Sequence, residues 1–590
     1  QGKNEIYCNT NWFDEIFKPS FQTDHNLQFS GGNKAINYMV SLGYLQNNGT
    51  MKGTGYQRYS LRSNISADVT KWLRLNANIS GYYGRKDALD VSNIMSGLGN
   101  SSPGTLPISS DGLHGGEWAP GGNNQAGNIY ATISGYDRLQ SNYKLTGKLG
   151  ADITILPSLV WHNSFAANAN FYNLKQMNYP DNYLWDLKNR VQLTNIGTTS
   201  NQLTEQNDLD YTLVVDSYLT WDVLPKIEEH NLSLTAGYNQ EYRRYHWSYA
   251  MAQDVLSSST PTFDAAATPS SMKGNSTDNA VRSFFGRINY DYKSRYIFEA
   301  NLRADGSSRF APGHRWGFFP SFSAAWRVTE EPFMLNIKNT LTELKVRASY
   351  GTLGNQNVAN YIAYRTVSIK NFDAYSFGEG STAAKYSALS APNSSDLTWE
   401  TSVHYNLGLD MGMLNDRLQF TGEVYIRDTK NMLTAGVALP SVYGASEPKM
   451  NSADLRTRGY ELSINWRDQF DLFGKAFGYN VGATLSDYKT VITKYDNKEY
   501  TFAKDYYEGM VLGEIWGFEI DGLFKSDAEA QAYAQEVDLN YINKRLYGGW
   551  LAGDPKYVDI DGDGKISVGA NSVKNPGDRK ILGNSIASLQ

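Results

Sequence analysis

YIFEANLRADGSSRFAPGHRWGFFPSFSAAWRV, residues 296–328, alternates greasy and polar side chains twice around a glycine-containing hinge. Phe298, Ala300, Leu302 and Ala304 share one parity, while Glu299, Asn301, Arg303 and Asp305 share the other. Successive side chains of a strand point to opposite faces, so this pattern describes a strand with one apolar and one strongly polar face. In the second run Phe322, Ala324, Trp326 and Val328 oppose Ser321, Ser323, Ala325 and Arg327. Gly306, Ser307, Ser308, Pro312 and Gly313 supply turn chemistry between them, and the unit reads as a long antiparallel hairpin.

The pattern recurs outward from this hairpin. Leu73, Leu75, Ala77, Ile79 and Tyr83 oppose Arg74, Asn76, Asn78 and Ser80; Leu145, Gly147, Leu149 and Ala151 oppose Lys144, Thr146, Lys148 and Asp152. Leu418, Phe420, Val424 and Ile426 oppose Gln419, Thr421, Glu423 and Arg427. Residues 459–468 and 479–488 repeat it, with Tyr460, Leu462, Ile464 and Trp466, then Tyr479, Val481, Ala483 and Leu485, on the apolar side. Roughly 17 such segments can be counted, many longer than the about 5 to 6 residues of globular strands.

The connections fall into two classes that broadly alternate. Tight ones lie at 66–72, 154–159, 222–231, 291–296, 412–418 and 468–475; long ones, rich in Gly, Ser, Asn and Pro, lie at 87–135, 173–206, 246–279, 353–396 and 430–453. An up-and-down barrel in an outer membrane needs this alternation, with short periplasmic turns and long extracellular loops. Trp161, Trp221, Tyr292 and Trp466 sit on the apolar parity near tight turns, as an interfacial girdle requires. The polar parity carries too much charge for a packed sandwich core. No blade-length repeat supports a propeller. The expected fold is therefore all-β, a large antiparallel transmembrane β-barrel, with no domain boundary before about residue 505.

Composition agrees. The 41 Tyr and 13 Trp favour strands that meet both lipid and water. The single cysteine, Cys8, excludes an internal disulfide framework, and a net charge of -6 without basic runs gives no case for nucleic acid. No apolar stretch reaches the ~18 residues of a spanning helix, which leaves a barrel open. The start, QGKNEIYCNT, carries neither an initiator Met nor a signal peptide, as expected of a mature or truncated chain.

From 302 to 334, LRADGSSRFAPGHRWGFFPSFSAAWRVTEEPFM, the sequence resembles the SusC-like, TonB-dependent outer-membrane transporters of Bacteroidetes type. The resemblance continues through 344–361, 397–433 and 451–468, covers the first expected barrel strands at 9–45, and extends to 508–524 and 557–567. It implies a barrel of the about 22-stranded transporter class with a plug in its lumen, of which residues 1–590 hold most of the barrel domain. It further implies TonB-energised import of an oligosaccharide or peptide, outer-membrane lipid around the wall, and a SusD-like lipoprotein lid. The plug and its TonB-contacting segment precede the barrel in that family, and the last strands follow. This chain is thus expected to be part of a longer polypeptide, with 505–590 a late-barrel segment bearing an extracellular insertion and an Asp-rich loop. A siderophore or metal-chelate receptor without a lipoprotein lid shares the barrel physics. A soluble, secreted β-rich glycan-binding protein is the reading of another class.

Three features carry candidate chemistry. DIDGDGKIS places Asp559, Asp561 and Asp563 at alternate positions before Gly564, with Lys565 offering its carbonyl, a spacing that lets one tight loop aim hard oxygens at calcium. Ala570 stands where a calcium loop usually has its bidentate Glu, and a solvated Asp-Gly turn is the plainer reading. Trp118, Tyr183, Trp185, Trp247 and Tyr249, in the expected long loops, have flat faces suited to sugar rings or a lid protein, or to packing their own loops. Residues 526–536 read as a short helix, with Ser526 and Glu529 spaced as a capping box. Neither a zinc spacing, a nucleophile elbow nor a phosphate loop occurs, so no cofactor is required and the chain is not expected to be an enzyme.

Overall fold

The structure, a computed structural model, describes residues 8–116, 128–180, 182–198, 200–223, 229–372, 384–389, 392–436, 440, 442, 447–502, 506–542 and 549–586. Two compact units divide the chain, Gln1–Leu219 with Tyr238–Val281, and Thr220–Gly237 with Arg282–Gln590.

The chain opens on helix α1 (Trp12–Ile16) and strands β1 (Gln22–Gly32), β2 (Ile36–Asn47), β3 (Gly55–Thr70) and β4 (Leu73–Asp87). Helix α2 (Val91–Asn100), strand β5 (His114–Gly115) and helix α3 (Ile129–Ser134) lie in the connection to β6 (Tyr136–Leu156) and β7 (Leu159–Asn178). Short strands β8 (Tyr183–Asp186) and β9 (Val191–Asn195) precede the long β10 (Gln202–Asp222), β11 (His230–Val255) and β12 (Ala266–Tyr292). Then come β13 (Tyr296–Ser307), β14 (Trp316–Arg327), β15 (Leu341–Asn355), β16 (Val367–Phe372), β17 (Ala384–Leu389), β18 (Glu400–Met413), β19 (Leu418–Ala435), β20 (Lys449–Leu472) and β21 (Lys475–Lys494). The chain ends through β22 (Glu514–Phe518), β23 (Ile520–Leu523), α4 (Asp527–Glu536), β24 (Pro555–Tyr557) and β25 (Arg579–Asn584).

Among the described residues, a 16-stranded antiparallel sheet takes the order β1-β2-β3-β4-β6-β7-β10-β11-β12-β13-β14-β15-β18-β19-β20-β21. Strands left out of that order sit inside connections or after β21, so the sheet is a meander. The hairpin of residues 296–327 is β13–β14, with Phe298 opposite Ala324 and Leu302 opposite Pro320. Its second run stops at Arg327, because Val328 begins a 3-10 turn and is buried.

Connections alternate as expected. One end of the strands carries 33–35, 71–72, 157–158, 293–295, 414–417 and 473–474; the other carries 48–54, 88–135, 179–201, 308–315, 356–399 and 436–448. The connection 328–340 is the long member of the short class, and two 3-10 helices fill it.

The apolar parity is the exposed one. Leu145, Leu149, Phe298, Leu302, Phe322, Leu407 and Val424 all lie open, although they are large and greasy. In water such a continuous face would be anomalous; in a bilayer it is the required surface. Aromatic residues bracket it. Trp161 and Phe171 on β7 are ten residues apart, as are Trp316 and Trp326 on β14, and all four are exposed. Ten residues rise about 33 Å, which at the usual strand tilt spans the roughly 25 Å of an outer-membrane apolar band. At the short-turn end, the Tyr296 hydroxyl (2.5 Å) and Trp326 Nε1 (3.0 Å) both donate to the Glu331 carboxylate, so ring bodies face lipid and ring tips face the wet margin.

One expectation is corrected here. Residues 246–279 are mostly strand rather than loop, because β11 runs to Val255 and β12 starts at Ala266. A membrane needs only about 9 to 11 residues of a strand. β12 has 27, so much of it rises past the hydrocarbon, where neither face need be apolar and the periodic signal vanishes.

Small cores pack at the long-loop end. In the first unit Trp12, Ile16, Met51, Ile94, Leu98 and Ile129 join α1, α2 and α3. In the second, Phe310, Phe319, Val358, Leu397 and Trp399 cluster, with Trp399 Nε1 donating to the Arg315 carbonyl at 2.8 Å. Among the described residues, 506–542 and 549–586 contribute no strand to the large sheet; β22 pairs β25, β23 pairs β24, and Val537, Leu539 and Ile566 form their own core. Helix α4 is capped as its spacing predicts, the Ser526 hydroxyl accepting from Glu529 N at 3.2 Å; the Glu529 carboxylate accepts from Lys525 N.

Val424 is 53% exposed on the apolar parity. Glu423, its neighbour, faces the other way and pairs with Arg347, which makes Thr421 the cleaner control on the polar parity. Val424→Arg is expected to cost ~2 to 4 kcal/mol of folding stability in lipid, and Thr421→Arg much less. Heat-modifiable gel mobility in vesicles measures this, and equal assembly of both variants would contradict the parity assignment.

Candidate functional site

The polar parity forms a hydrogen-bonded wall in each unit. In the first, Asp152 accepts from Asn76 Nδ2 at 2.9 Å and lies 2.7 Å from His162 Nδ1, whose ring stacks on Tyr218 at 4.7 Å. Further towards the long-loop end, Thr146 donates to Asn168, Asn142 to the Tyr82 hydroxyl, Gln140 to the Tyr172 hydroxyl at 2.8 Å and Tyr245 to Asp208 at 2.9 Å. Amides and hydroxyls can both give and accept, and they tolerate water or a hydroxylated solute equally well.

In the second unit the wall is laced by charge. Arg347 donates to Asp410 at 3.3 Å and to Glu423 at 2.8 Å, and Lys345 lies 3.8 Å from Asp410. Gly408, between them in register, makes the room: a Cβ there would come within 2.5 Å of the Arg347 guanidinium carbon. Arg456 forks onto Asp428 at 2.6 and 2.7 Å. Of these residues sequence reading placed only Glu423 on the polar parity and could not pair it, because its partner Arg347 sits on a strand 76 residues away.

The aromatic candidates separate. Trp118 lies outside the described residues. Tyr183 and Trp185 share one face of β8, which is pinned in the connection by β5 and β9. The guanidinium of Arg190 donates to Asp111 at 2.7 Å across the same connection. The Ser109 hydroxyl, then Arg190, hold the Asp111 carboxyl below the usual carboxylate range. Trp247 and Tyr249 sit on β11, not in a loop, on the parity of Arg243 and Tyr245, whose partners Asp210 and Asp208 line the polar wall. The structure therefore gives two separate aromatic pairs, one on a connection and one on the rising wall.

The Asp-rich loop does converge. One carboxylate oxygen from each of Asp559, Asp561 and Asp563 lies within 4.8 Å of the others. Opposite ligands of calcium are about 5 Å apart, since each bond is about 2.3–2.6 Å, so the spacing suits that ion. Asp559 already accepts from Gly562 N and Gly564 N, and the Lys565 ammonium sits 3.2 Å from Asp563. Desolvation, then the charges of Asp578, Asp563 and Asp559, push the Asp561 carboxyl up. Because β21 runs away from the turn at 473–474, this segment emerges at the long-loop end of the second unit.

A greasy outward parity, a polar opposite parity, aromatic margins and unequal connections define an outer-membrane β-barrel. The chain belongs to the TonB dependent receptor-like, beta-barrel family, which matches residues 93–572. Its relatives include the TonB-dependent receptor P3 of Formosa agariphila, 27% identical over 98% of this chain and 55% of that protein. The TonB-dependent receptor SusC of Bacteroides thetaiotaomicron is 26% identical over 98% of this chain and 57% of that protein. The chain thus spans about half the length of these relatives. Among solved structures, the RagAB peptide transporter matches with a TM-score of 0.75 at 20% identity, over 88% of this chain and 56% of that one, which supports the fold. The chain is accordingly an outer-membrane barrel of the TonB-dependent receptor type, similar to SusC.

Gly408→Leu is expected to push Arg347 out from between Asp410 and Glu423 and to cost about 1–3 kcal/mol. Urea unfolding midpoints in detergent check this; a Gly408→Leu midpoint equal to the parent's would mean the Arg347 bridge contributes nothing.

Proposed function

We propose that this chain is the wall of an importer for a bulky, hydrophilic nutrient, an oligosaccharide or a peptide, energised through TonB and covered at its long-loop end by a SusD-like lipoprotein. The observation that carries the reading is the hydrogen-bonded polar parity, a wall that can exchange partners with a hydroxyl- or amide-rich solute. The lid follows from the resemblance to SusC-like transporters, while the names of its relatives support the coupling and a hydrophilic cargo: one is the TonB-dependent receptor SusC, and a structural neighbour is a peptide transporter. An oligosaccharide is the first choice, since Trp247 and Tyr249 stand on the same wall as Tyr245 and Asp208, flat faces beside hydroxyl-binding groups. The test is uptake of fluorescent oligosaccharides and oligopeptides by cells with and without the protein, before and after the proton gradient is collapsed. Protein-dependent, gradient-dependent uptake of one class and co-purification of a lipoprotein are expected. Uptake that survives loss of the gradient, or gradient-dependent uptake only of iron chelates with no lipoprotein bound, overturns the reading.

The Asp559 loop would serve this assembly as a calcium-stabilised element of its outer surface. The Asp561 carboxyl, raised first by desolvation and then by neighbouring carboxylates, costs stability at neutral pH, and that cost is removed either by a proton, as pH falls through the raised value, or by a cation. Calcium is expected to raise the melting temperature at neutral pH with an affinity of about 10⁻⁴–10⁻³ M, and less so in acid. Asp561→Asn should abolish the calcium response, and a parent protein indifferent to calcium and chelator sinks the assignment.

A further inference from the structure

The outward face of the first unit carries three rows that run across its strands. Leu42, Leu61, Gly81 and Leu145 are partners in register and form the row nearest the bilayer centre. Two residues further along each strand lies a tyrosine row, Tyr44, Tyr59, Tyr83 and Tyr143, continued by Phe171. Its rings touch in sequence, with centroids 5.0, 6.5 and 4.7 Å apart. Two residues beyond again, towards the long-loop end, the partners are Gln46, Gln57, Arg85 and Ser141. The Tyr44 hydroxyl donates up to Gln46 at 2.9 Å, so ring tips meet the polar row while ring bodies stay in the apolar one.

Gly81 breaks the aliphatic row. Where its neighbours present leucines it presents nothing, and a groove of about 1070 Å³ opens there beneath Tyr59, Tyr83 and Tyr143. A Cβ at this position would stand 2.9 Å from the Lys144 carbonyl oxygen of the neighbouring strand, too close for backbone that does not shift, so only glycine keeps the floor bare with β4 and β6 in place. Arg85 is exposed, and among the described residues no carboxylate lies within ion-pair distance of it. A free guanidinium about 7 Å above an aromatic margin, over an apolar groove, has the order of parts of an anionic amphiphile: chain, polar junction, phosphate.

We propose that this face holds one phosphorylated glycolipid of the outer leaflet, with an acyl chain in the groove at Gly81, its sugar junction against the tyrosine hydroxyls and a phosphate on Arg85. The assignment rests on the outer-membrane placement and is independent of what the barrel imports. It differs from ordinary annular contact in needing both a notch and an unpaired cation in register.

Native mass spectrometry of the protein in a neutral detergent, titrated with diphosphoryl lipid A and separately with its dephosphorylated form, tests it. The parent is expected to retain one phosphorylated lipid. Arg85→Gln should weaken that form about tenfold, the loss of one charge-assisted contact, and leave the dephosphorylated form unchanged. Gly81→Leu should weaken both. Equal retention by the parent and Arg85→Gln, equal binding of the two lipids by the parent, or displacement by inorganic phosphate overturns the proposal. Arg85 is exposed, so its variant assembles and decides the matter even where Gly81→Leu does not insert.

Discussion

Hydrocarbon offers no hydrogen-bond partner, and that single fact organises this molecule. Each backbone N–H and C=O at membrane depth must find its partner on a neighbouring strand, since an orphan there costs several kcal/mol. The sheet that results fixes a parity along every strand, and the parity decides where each side chain lives. Leu149 meets lipid because Lys148 and Gly150 cannot both turn outward with it. The same rule puts Arg347, Asp410 and Glu423 on one face, close enough to neutralise one another.

Beyond the hydrocarbon the rule relaxes, and the structure changes character. Strands β10, β11 and β12 keep their backbone pairing but lose their greasy face, while helices and short sheets gather small cores of their own. Trp12 and Ile16 bury against α2 and α3 as residues of a soluble protein would. The segment 506–586 behaves likewise, with a conventional interior around Ile566 and a charged loop on its surface. Two folding regimes are therefore joined in one chain, divided by the aromatic margins.

How much of this was legible follows from the same division. Where one face must be apolar, as at Phe298, Leu302, Val424 and Ile426, alternation alone located strands and their orientation. Where strands rise into water, as at Trp247 and Tyr249, alternation carries no apolar signal and the stretch read as loop. The Asp559, Asp561 and Asp563 spacing was visible because a tight loop is local. The meeting of Arg347 with Glu423 was not, because strand register is set by distant partners and by small residues such as Gly408 whose purpose shows only once the neighbours are placed. Alternation placed Tyr83 on the apolar parity, but only register reveals that Tyr44, Tyr59, Tyr83 and Tyr143 are one row.

The meander has a kinetic corollary. Every long strand of the described sheet pairs with the next long strand along the chain, so the loop that must close before each new pairing is short, apart from the three large connections at 88–135, 179–201 and 356–399. Closure entropy grows only slowly with loop length, and near-neighbour pairing keeps contact order low for so large a sheet. Such a wall can grow by docking one hairpin at a time onto an existing edge, with each arrival shielding the edge left by the last. Errors in one strand would then be felt first by its two neighbours, and insertion would stall at an identifiable hairpin rather than fail everywhere at once.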